Sequence, residues 1–178
     1  MSVSGATASS INTSLSSINI APSPYTRPEM FDGDVMVMDE KWYPAAHHGM
    51  LRPLMFDIAN GGWVVILKAE TKGTIQRHRH AAPVTAFTLD GAWGYREHDW
   101  VARAGSFVYE PAGHIHTLYV DDEVGRMTAI FHTYGPVVYV DDQGNATGYD
   151  DVFVRLDRYT KHCREAGLPD DWVRSLIR

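Results

Sequence analysis

The sequence predicts an all-β domain, a sandwich or a small barrel, that ends in two short helices. Short apolar and β-branched runs fill residues 51–140, and turn signals such as Asn60-Gly61-Gly62 separate them. These signals recur at intervals of roughly 8–12 residues, which is typical of sandwiches and small barrels. After residue 150 the apolar residues change to helical spacing, which predicts the C-terminal helices.

Each strand can be placed from its own run and the turn beside it. The strand over 51–59 contains Pro53 and is expected at a sheet edge, because proline cannot donate a ladder hydrogen bond. The next strands are expected over 63–70, after Lys72-Gly73, and over 84–89, 93–100, 105–110, 115–120, 126–134 and 137–140. Asp90-Gly91 is interpreted as a tight turn between two of them.

The helices are predicted from apolar residues that recur every three or four positions, namely Val152, Leu156, Tyr159 and Cys163. Asp150 or Asp151 is the expected N-cap, and Gly167 follows the end of the first helix. The second helix is expected to begin near Asp170. Both helices, about residues 150–178, are expected to pack an apolar stripe on the outside of the barrel.

Composition favours one globular domain over residues 25–178, preceded by a polar segment over residues 1–24. That segment is interpreted as a flexible tail, or as an arm that docks on the barrel or on a neighbouring subunit. The net charge of −6 and the scattered Lys and Arg residues argue against a nucleic-acid surface. One cysteine, no apolar run of about 20 residues and no secretory signal lead us to expect a cytoplasmic protein without a membrane partner.

Three histidines form the candidate metal site. His78 and His80 stand at i and i+2 on one strand, so both imidazoles point to the same face. Pro111 and Gly113 form a tight turn, and the strand that leaves this turn carries His116. Three neutral imidazoles that converge inside a barrel suit a borderline divalent ion such as iron, zinc, nickel or copper.

Two carboxylates and two aromatic residues are candidates for the surroundings of that site. Trp93, Tyr95 and Glu97 alternate onto one face of their strand. If that face is interior, Glu97 is a fourth ligand or a partner of a ligand histidine; the alternative is a solvated exterior glutamate. Glu110 precedes Pro111 and either points inward near the ion or is a surface charge at the strand end. The aromatic residues are either core or the wall of an apolar substrate pocket.

These motifs resemble the paired motifs of the cupin superfamily, whose members are jelly-roll β-barrels. The first motif is matched by Gly73, the His78-Arg79-His80 segment and Gly91, and the second by Gly105, Pro111, Gly113 and His116. Val84 stands where the first motif usually has a Glu ligand, and Val120 stands where the second has Asn. The resemblance therefore implies a three-histidine site, or one with a carboxylate from elsewhere in the chain.

Longer segments are similar to the 2,4'-dihydroxyacetophenone dioxygenase family over roughly residues 40–178. The similar segments are Leu51–Asp57, Asn60–Trp63, His78–His80, Tyr95–Trp100, Tyr109–His114 and Asp141–Asp151. The resemblance implies a homo-oligomer, a dimer or tetramer, with one non-haem Fe(II) per site. It also implies cleavage of an aryl α-hydroxyketone by O2, in which 2,4'-dihydroxyacetophenone gives 4-hydroxybenzoate and formate.

On this interpretation the three histidines hold the ion, and Glu97 or Glu110 takes a proton or holds the substrate phenol. Trp93 and Tyr95 would line the aryl pocket. One alternative is a cupin dioxygenase that acts on another hydroxyketone or on a β-diketone. Another is a zinc-binding sensor or regulatory cupin, like the cupin domain of a bacterial anti-sigma factor. We disfavour the regulator, since such proteins usually add a helical zinc-binding domain and we expect none in this chain.

Overall fold

The computed structural model describes residues 23–45 and 48–178, so the predicted N-terminal tail lies outside the described residues except for its last two positions. The tail and the domain boundary after residue 24 stay predictions. Eleven strands and two helices occur in the described part of the chain. The strands are β1 Tyr43–Pro44, β2 Gly49–Asp57, β3 Gly62–Ala69, β4 Gly73–His80, β5 Val84–Tyr95, β6 Val101–Arg103, β7 Phe107–Glu110, β8 Ile115–Val120, β9 Met127–Thr133, β10 Val137–Val140 and β11 Ala146–Asp150.

The strands form one curled antiparallel sheet in the order β1-β2-β3-β9-β5-β8-β4-β10-β11, and β6 and β7 also pair with β5. The sheet curls because β5 belongs to both of its halves. The first part of β5 pairs with β7 and β9, and its second part pairs with β6 and β8. This mostly-β half-barrel with C-terminal helices confirms the predicted cupin fold class.

The middle of β5 corrects one sequence prediction, because Asp90-Gly91 is a bend within a continuous strand. The register with β9 shifts between Thr88 and Asp90, and Gly91 has a positive φ of 72°. A Cβ atom at position 91 would lie 2.1 Å from the carbonyl oxygen of Arg126, so only glycine permits this close approach of the strands. The strand then ends at Tyr95, five residues earlier than predicted.

Three strands were not predicted: β6, which pairs with the second part of β5, and β1 and β11, which lie at the ends of the sheet. β1 has two residues and covers only Leu51 and Met50 of β2, so most of β2 lies at a sheet edge as expected. The register of β2 with β3 shifts between Pro53 and Met55, where proline removes a ladder hydrogen bond. At the other end of the sheet, β11 pairs with β10.

The helices α1, Val152–Glu165, and α2, Asp170–Ser175, begin where the sequence indicated, and α1 ends just before Gly167 as predicted. Helix α2 ends at Ser175, three residues before the end of the predicted helical region. The Asp151 side chain accepts hydrogen bonds from the backbone N–H groups of Phe153 and Val154, which caps α1. Tyr159 of α1 is fully buried and contacts the rings of Tyr43 and Phe56 at centroid distances of 5.5 and 6.0 Å. Neither helix of the described chain is long and apolar enough to cross a bilayer.

Candidate metal centre and substrate cavity

The sheet brings the three candidate histidines together inside the half-barrel. His78 and His80 lie on β4, and the antiparallel register of β4 with β8 pairs His78 with His116. Period-2 alternation puts His80 on the same face, so three imidazoles point into one space. Each ring offers a nitrogen, and these nitrogens all lie within 4.8 Å of one another. We call these three residues the histidine cluster.

The geometry of the histidine cluster fits one metal ion. Two ring nitrogens that bind one ion at about 2.1 Å, at right angles, lie about 3 Å apart. The Nε2 atoms of His78 and His80 are 3.0 Å apart. The Nε2 atom of His116 and the Oε2 atom of Glu110 are buried, 3.4 Å apart, and without a hydrogen-bond partner among the described residues. A cation bound by His116 would satisfy its Nε2 atom and place a positive charge beside the Oε2 atom of Glu110.

Burial keeps the histidine cluster neutral, which is the form that binds metals. Burial lowers the pKa of His78 to about 4, although its hydrogen-bonding contact with the carbonyl oxygen of Gln76 opposes the shift. Burial, followed by the positive charge that the other two imidazoles would carry, lowers the pKa of His80 to about 2. Burial also lowers the pKa of His116 to about 3. All three lone pairs are therefore free at neutral pH.

Glu110 is the carboxylate beside the histidine cluster. Its side chain is 3% exposed, and its Oε2 atom lies 3.4 Å from the Nε2 atoms of both His80 and His116. The Tyr95 hydroxyl donates a hydrogen bond of 2.6 Å to Oε1 and fixes the carboxyl group. Burial raises the pKa of Glu110 to about 7, against the opposing effect of the Tyr95 hydrogen bond. Of the two alternatives for Glu110, the structure favours the inward one.

The strand register explains how a carboxylate reaches the histidine cluster without a Glu at position 84. Val84 on β5 pairs directly with Glu110 on β7. Paired residues of antiparallel strands present their side chains on the same face. Glu110 therefore brings a carboxylate to the neighbourhood that a glutamate at position 84 would reach.

The structure does not bring Glu97 to the histidine cluster, so the interior position considered for its carboxylate is wrong. Because β5 ends at Tyr95, the alternation that would turn Glu97 inward stops two residues too early. The Glu97 carboxylate lies on the exterior, 3.0 Å from Nη1 of Arg77. It accepts hydrogen bonds from the backbone N–H and the hydroxyl of Thr117, at 2.7 and 2.8 Å. The structure favours the solvated alternative for this residue.

The two aromatic candidates lie in different environments. Tyr95 stacks on the His116 ring at a centroid distance of 3.9 Å and an interplanar angle of 4°, and it lines the cavity beside the cluster. Trp93 is fully buried one layer behind it, where its Nε1 atom donates to the Thr88 hydroxyl at 2.9 Å. Trp93 is therefore a core residue that supports Tyr95, and it does not line the pocket as predicted.

A cavity of about 390 Å³ opens from the histidine cluster into the half-barrel. This volume lies in the range of roughly 300–1,000 Å³ that small-molecule sites occupy. His78, His80 and Tyr95 line one part of it, and the side walls are largely apolar, with Trp63 and Phe131 among them. A second cavity of about 440 Å³ touches His116 and Glu110 from another side. The cluster therefore has space around it on two sides.

The ChrR cupin-like domain family matches residues 33–138, about three fifths of the chain. The chain belongs to this family. No curated protein sequence is significantly similar to it. The matched range contains the histidine cluster and Glu110, and it stops one residue before Tyr139.

Solved structures of other proteins share this ChrR cupin-like domain's fold. An RmlC-like cupin protein from Ralstonia eutropha JMP134 is 32% identical, with a TM-score of 0.69 over 72% of this chain and 84% of that one. A second cupin-like protein from the same organism is 28% identical, with a TM-score of 0.64 over 67% and 75% of the two chains. An acetylacetone dioxygenase from Acinetobacter johnsonii is 16% identical, with a TM-score of 0.68 over 82% and 99%.

Sequence reasoning missed a charged group that also lines the first cavity. Arg155 and Arg158 of α1 and Tyr139 of β10 contribute to its wall, and Asp150 of β11 binds all three. One signal was present, because Val152, Arg155 and Tyr159 follow the i, i+3, i+7 spacing of one helix face. That face is buried, so Arg155 is turned inward with its apolar neighbours. We call Arg155, Arg158, Asp150 and Tyr139 the Arg155 group.

Proposed function

We propose that this ChrR cupin-like domain is a non-haem iron dioxygenase that cleaves the C–C bond of an aryl α-hydroxyketone. The favoured substrate is 2,4'-dihydroxyacetophenone. The observation that carries the proposal is the convergence of three buried, neutral imidazoles at the wall of a largely apolar cavity. Such a donor set leaves positions on an ion open for a substrate and O2. The similarity of the longer sequence segments to the 2,4'-dihydroxyacetophenone dioxygenase family supports the choice of substrate.

His78, His80 and His116 would hold the ion. When bound, Fe(II) supplies Lewis-acid polarisation of the ketone and hydroxyl oxygens and a source of electrons for O2. The overall reaction balances without another reductant, because the hydroxyketone and O2 together contain the same atoms as 4-hydroxybenzoic acid and formic acid. Both oxygen atoms of O2 therefore enter the products.

Glu110 would be the proton acceptor for the α-hydroxyl group of the substrate. A cation on the histidine cluster would keep the Glu110 carboxylate ionised, so that Oε2 could accept a proton from the substrate and return it later. The 2.6 Å hydrogen bond from Tyr95 occupies Oε1, which leaves Oε2 as the reactive oxygen. Since Tyr95 also stacks on His116, this one residue orients both the base and a ligand.

The cavity would hold the aryl ring. Its apolar walls exclude water from the reacting atoms, which strengthens each electrostatic interaction there. Trp63, Val65 and Phe131 offer flat or branched surfaces that suit an aromatic ring.

The test compares aerobic and anaerobic incubations of the iron-loaded protein with 2,4'-dihydroxyacetophenone. We expect 4-hydroxybenzoate and formate only in the presence of O2, with O2 consumed in equal amounts. Acetylacetone, the compound named for the Acinetobacter neighbour, serves as the β-diketone comparison substrate. Faster O2 uptake on acetylacetone would assign the alternative substrate class, and no uptake on either compound would refute the oxygenase proposal.

A second candidate is a zinc-binding regulatory cupin, which the ChrR description of the family favours. The same three histidines would hold zinc with no turnover. The two candidates differ in one measurement. A protein purified with one zinc ion, and without O2 uptake after exchange to iron, would be a regulator.

A further inference from the structure

The Arg155 group lies on the cavity wall, two strands away from the histidine cluster. Val137 on β10 pairs with His80 of β4 on one side and with Asp150 of β11 on the other. Two strand spacings amount to about 10 Å. Tyr139 pairs with His78, so its side chain lies on the same sheet face as the cluster. The cavity thus joins a metal centre to a second polar site.

The Arg155 group carries one excess positive charge. Asp150 is 1% exposed, and its Oδ1 and Oδ2 atoms accept hydrogen bonds of 2.9 and 3.1 Å from Arg158. The Nε atom of Arg155 lies 2.9 Å from Oδ2 of the same carboxylate. Two guanidinium groups therefore share a single carboxylate. A net positive charge inside a largely apolar cavity favours a ligand with an oxygen acceptor.

One N–H group of the Arg155 side chain has no hydrogen-bond acceptor among the described residues. Its Nη2 atom donates to the Tyr139 hydroxyl at 2.9 Å. Its Nε–H is buried without a hydrogen-bond acceptor among the described residues, because it is near Asp150 but is not directed at an oxygen atom. The guanidinium carbon lies 5.4 Å from the centre of the Trp63 ring, which holds the group against the cavity wall.

We propose that Arg155 determines substrate specificity by binding a hydroxyl substituent on the aryl ring, at the end remote from the ketone. This inference rests on the proposed function, which puts the ketone at the histidine cluster. A rigid arene with oxygen groups at opposite ends would span the cavity between the two polar sites. The ring itself would lie along the apolar walls. The substrate class is therefore a para-hydroxylated aryl ketone, and unsubstituted aryl ketones bind more weakly.

The test measures binding by calorimetry to the zinc-substituted protein, in which no turnover occurs. The ligands are 2,4'-dihydroxyacetophenone and 2-hydroxyacetophenone, which lacks the ring hydroxyl. A hydrogen bond to a charged group predicts a preference of about 10- to 100-fold for the hydroxylated ligand. Arg155→Met should reduce this preference to less than about threefold, with little change for 2-hydroxyacetophenone. Arg126→Met, which removes an exposed arginine paired with Asp90, is the matched control and should leave both affinities unchanged.

Arg155→Lys covers the case in which the Met variant fails to fold, since it keeps a cation beside Asp150. The lysine lacks the planar fork, so the preference should still fall at least about threefold. The inference is overturned if the wild-type protein binds both ligands equally or binds neither. It is also overturned if the Arg155 variants weaken both ligands to the same extent. Failure of the iron form to consume O2 would refute the proposed function and leave the measured binding preference standing.

Discussion

Replacing Glu110 with Gln removes one negative charge beside the histidine cluster and keeps the shape of the side chain. The amide oxygen can still accept the hydrogen bond that the Tyr95 hydroxyl now donates to Oε1. The Oε2 atom, which lies 3.4 Å from two of the imidazoles, becomes an uncharged NH2 group. We expect metal affinity at pH 8 to fall by about 10- to 100-fold, the usual effect of losing a partner around a metal site.

The pH dependence of metal binding should change as well. With a pKa of about 7 in the metal-free protein, Glu110 is ionised in about one molecule in ten at pH 6 and about nine in ten at pH 8. Metal binding must displace that proton, so wild-type affinity should rise about tenfold over this range. The histidines have pKa values of about 4, 2 and 3, stay neutral throughout and add no slope. The Gln variant should therefore show almost no pH dependence.

The assay is a Zn²⁺ titration against a competing chelator at pH 6, 7 and 8. Glu97→Gln is the matched control, because it removes a carboxylate that is exposed and bound to Arg77 and Thr117. That variant should keep the wild-type affinity and slope. Equal slopes for wild type and Glu110→Gln would refute the role given to Glu110. A large loss of Zn²⁺ affinity in Glu97→Gln would instead mean that Glu97 contributes to metal binding.

Three further predictions concern stability and can be checked by urea denaturation. Gly91→Ala should destabilise the protein by about 2 kcal/mol or more, because the new Cβ atom would lie 2.1 Å from the carbonyl oxygen of Arg126. The control is Gly105→Ala, which also lies at positive φ but has no atom near the new Cβ, and it should destabilise the protein by about 1 kcal/mol. Equal losses would contradict the close strand approach. The double replacement Asp32→Asn and Asp39→Asn leaves the fully buried Arg52 without a carboxylate partner and should lower the free energy of unfolding by about 3 kcal/mol. An unchanged free energy of unfolding would mean that these ion pairs do not stabilise the protein. The metal-free protein should lose stability as the pH falls below about 6.5, because the histidines bind protons in the unfolded chain but stay neutral in the folded histidine cluster. The loss should reach up to about 1.4 kcal/mol per pH unit for each histidine, and the raised pKa of Glu110 should partly offset it. A urea midpoint that does not change between pH 7 and pH 5 would refute this prediction.

Local patterns in the sequence predicted the elements that depend on local chemistry. Period-2 alternation put His78 and His80 on one face, and the turn at Pro111 and Gly113 brought His116 back beside them. The α1 cap at Asp151 followed from the side chain's own hydrogen bonds to the backbone. These features need only neighbouring residues, so the sequence contains enough information to predict them.

Features that depend on strand ends and tertiary pairing were beyond local reasoning. The predicted inward orientation of Glu97 is wrong because β5 ends at Tyr95, and no neighbouring residue in the sequence signals that end. The position of Glu110 depends on its pairing with Val84, and that of Arg155 on how α1 packs against β2 and β11. The roles of these residues, like the predicted oligomer and its Fe(II), stay predictions.

The most direct test of the central claim is the metal content of the protein purified without added metal, compared with that of His116→Ala. The account predicts about one transition-metal ion per chain for the wild-type protein and almost none for the variant. Two imidazoles bind the ion too weakly to retain it during purification. Circular dichroism should show that the variant remains folded. A folded variant that keeps the full metal content, or a wild-type protein that binds no metal even after loading, would contradict the account.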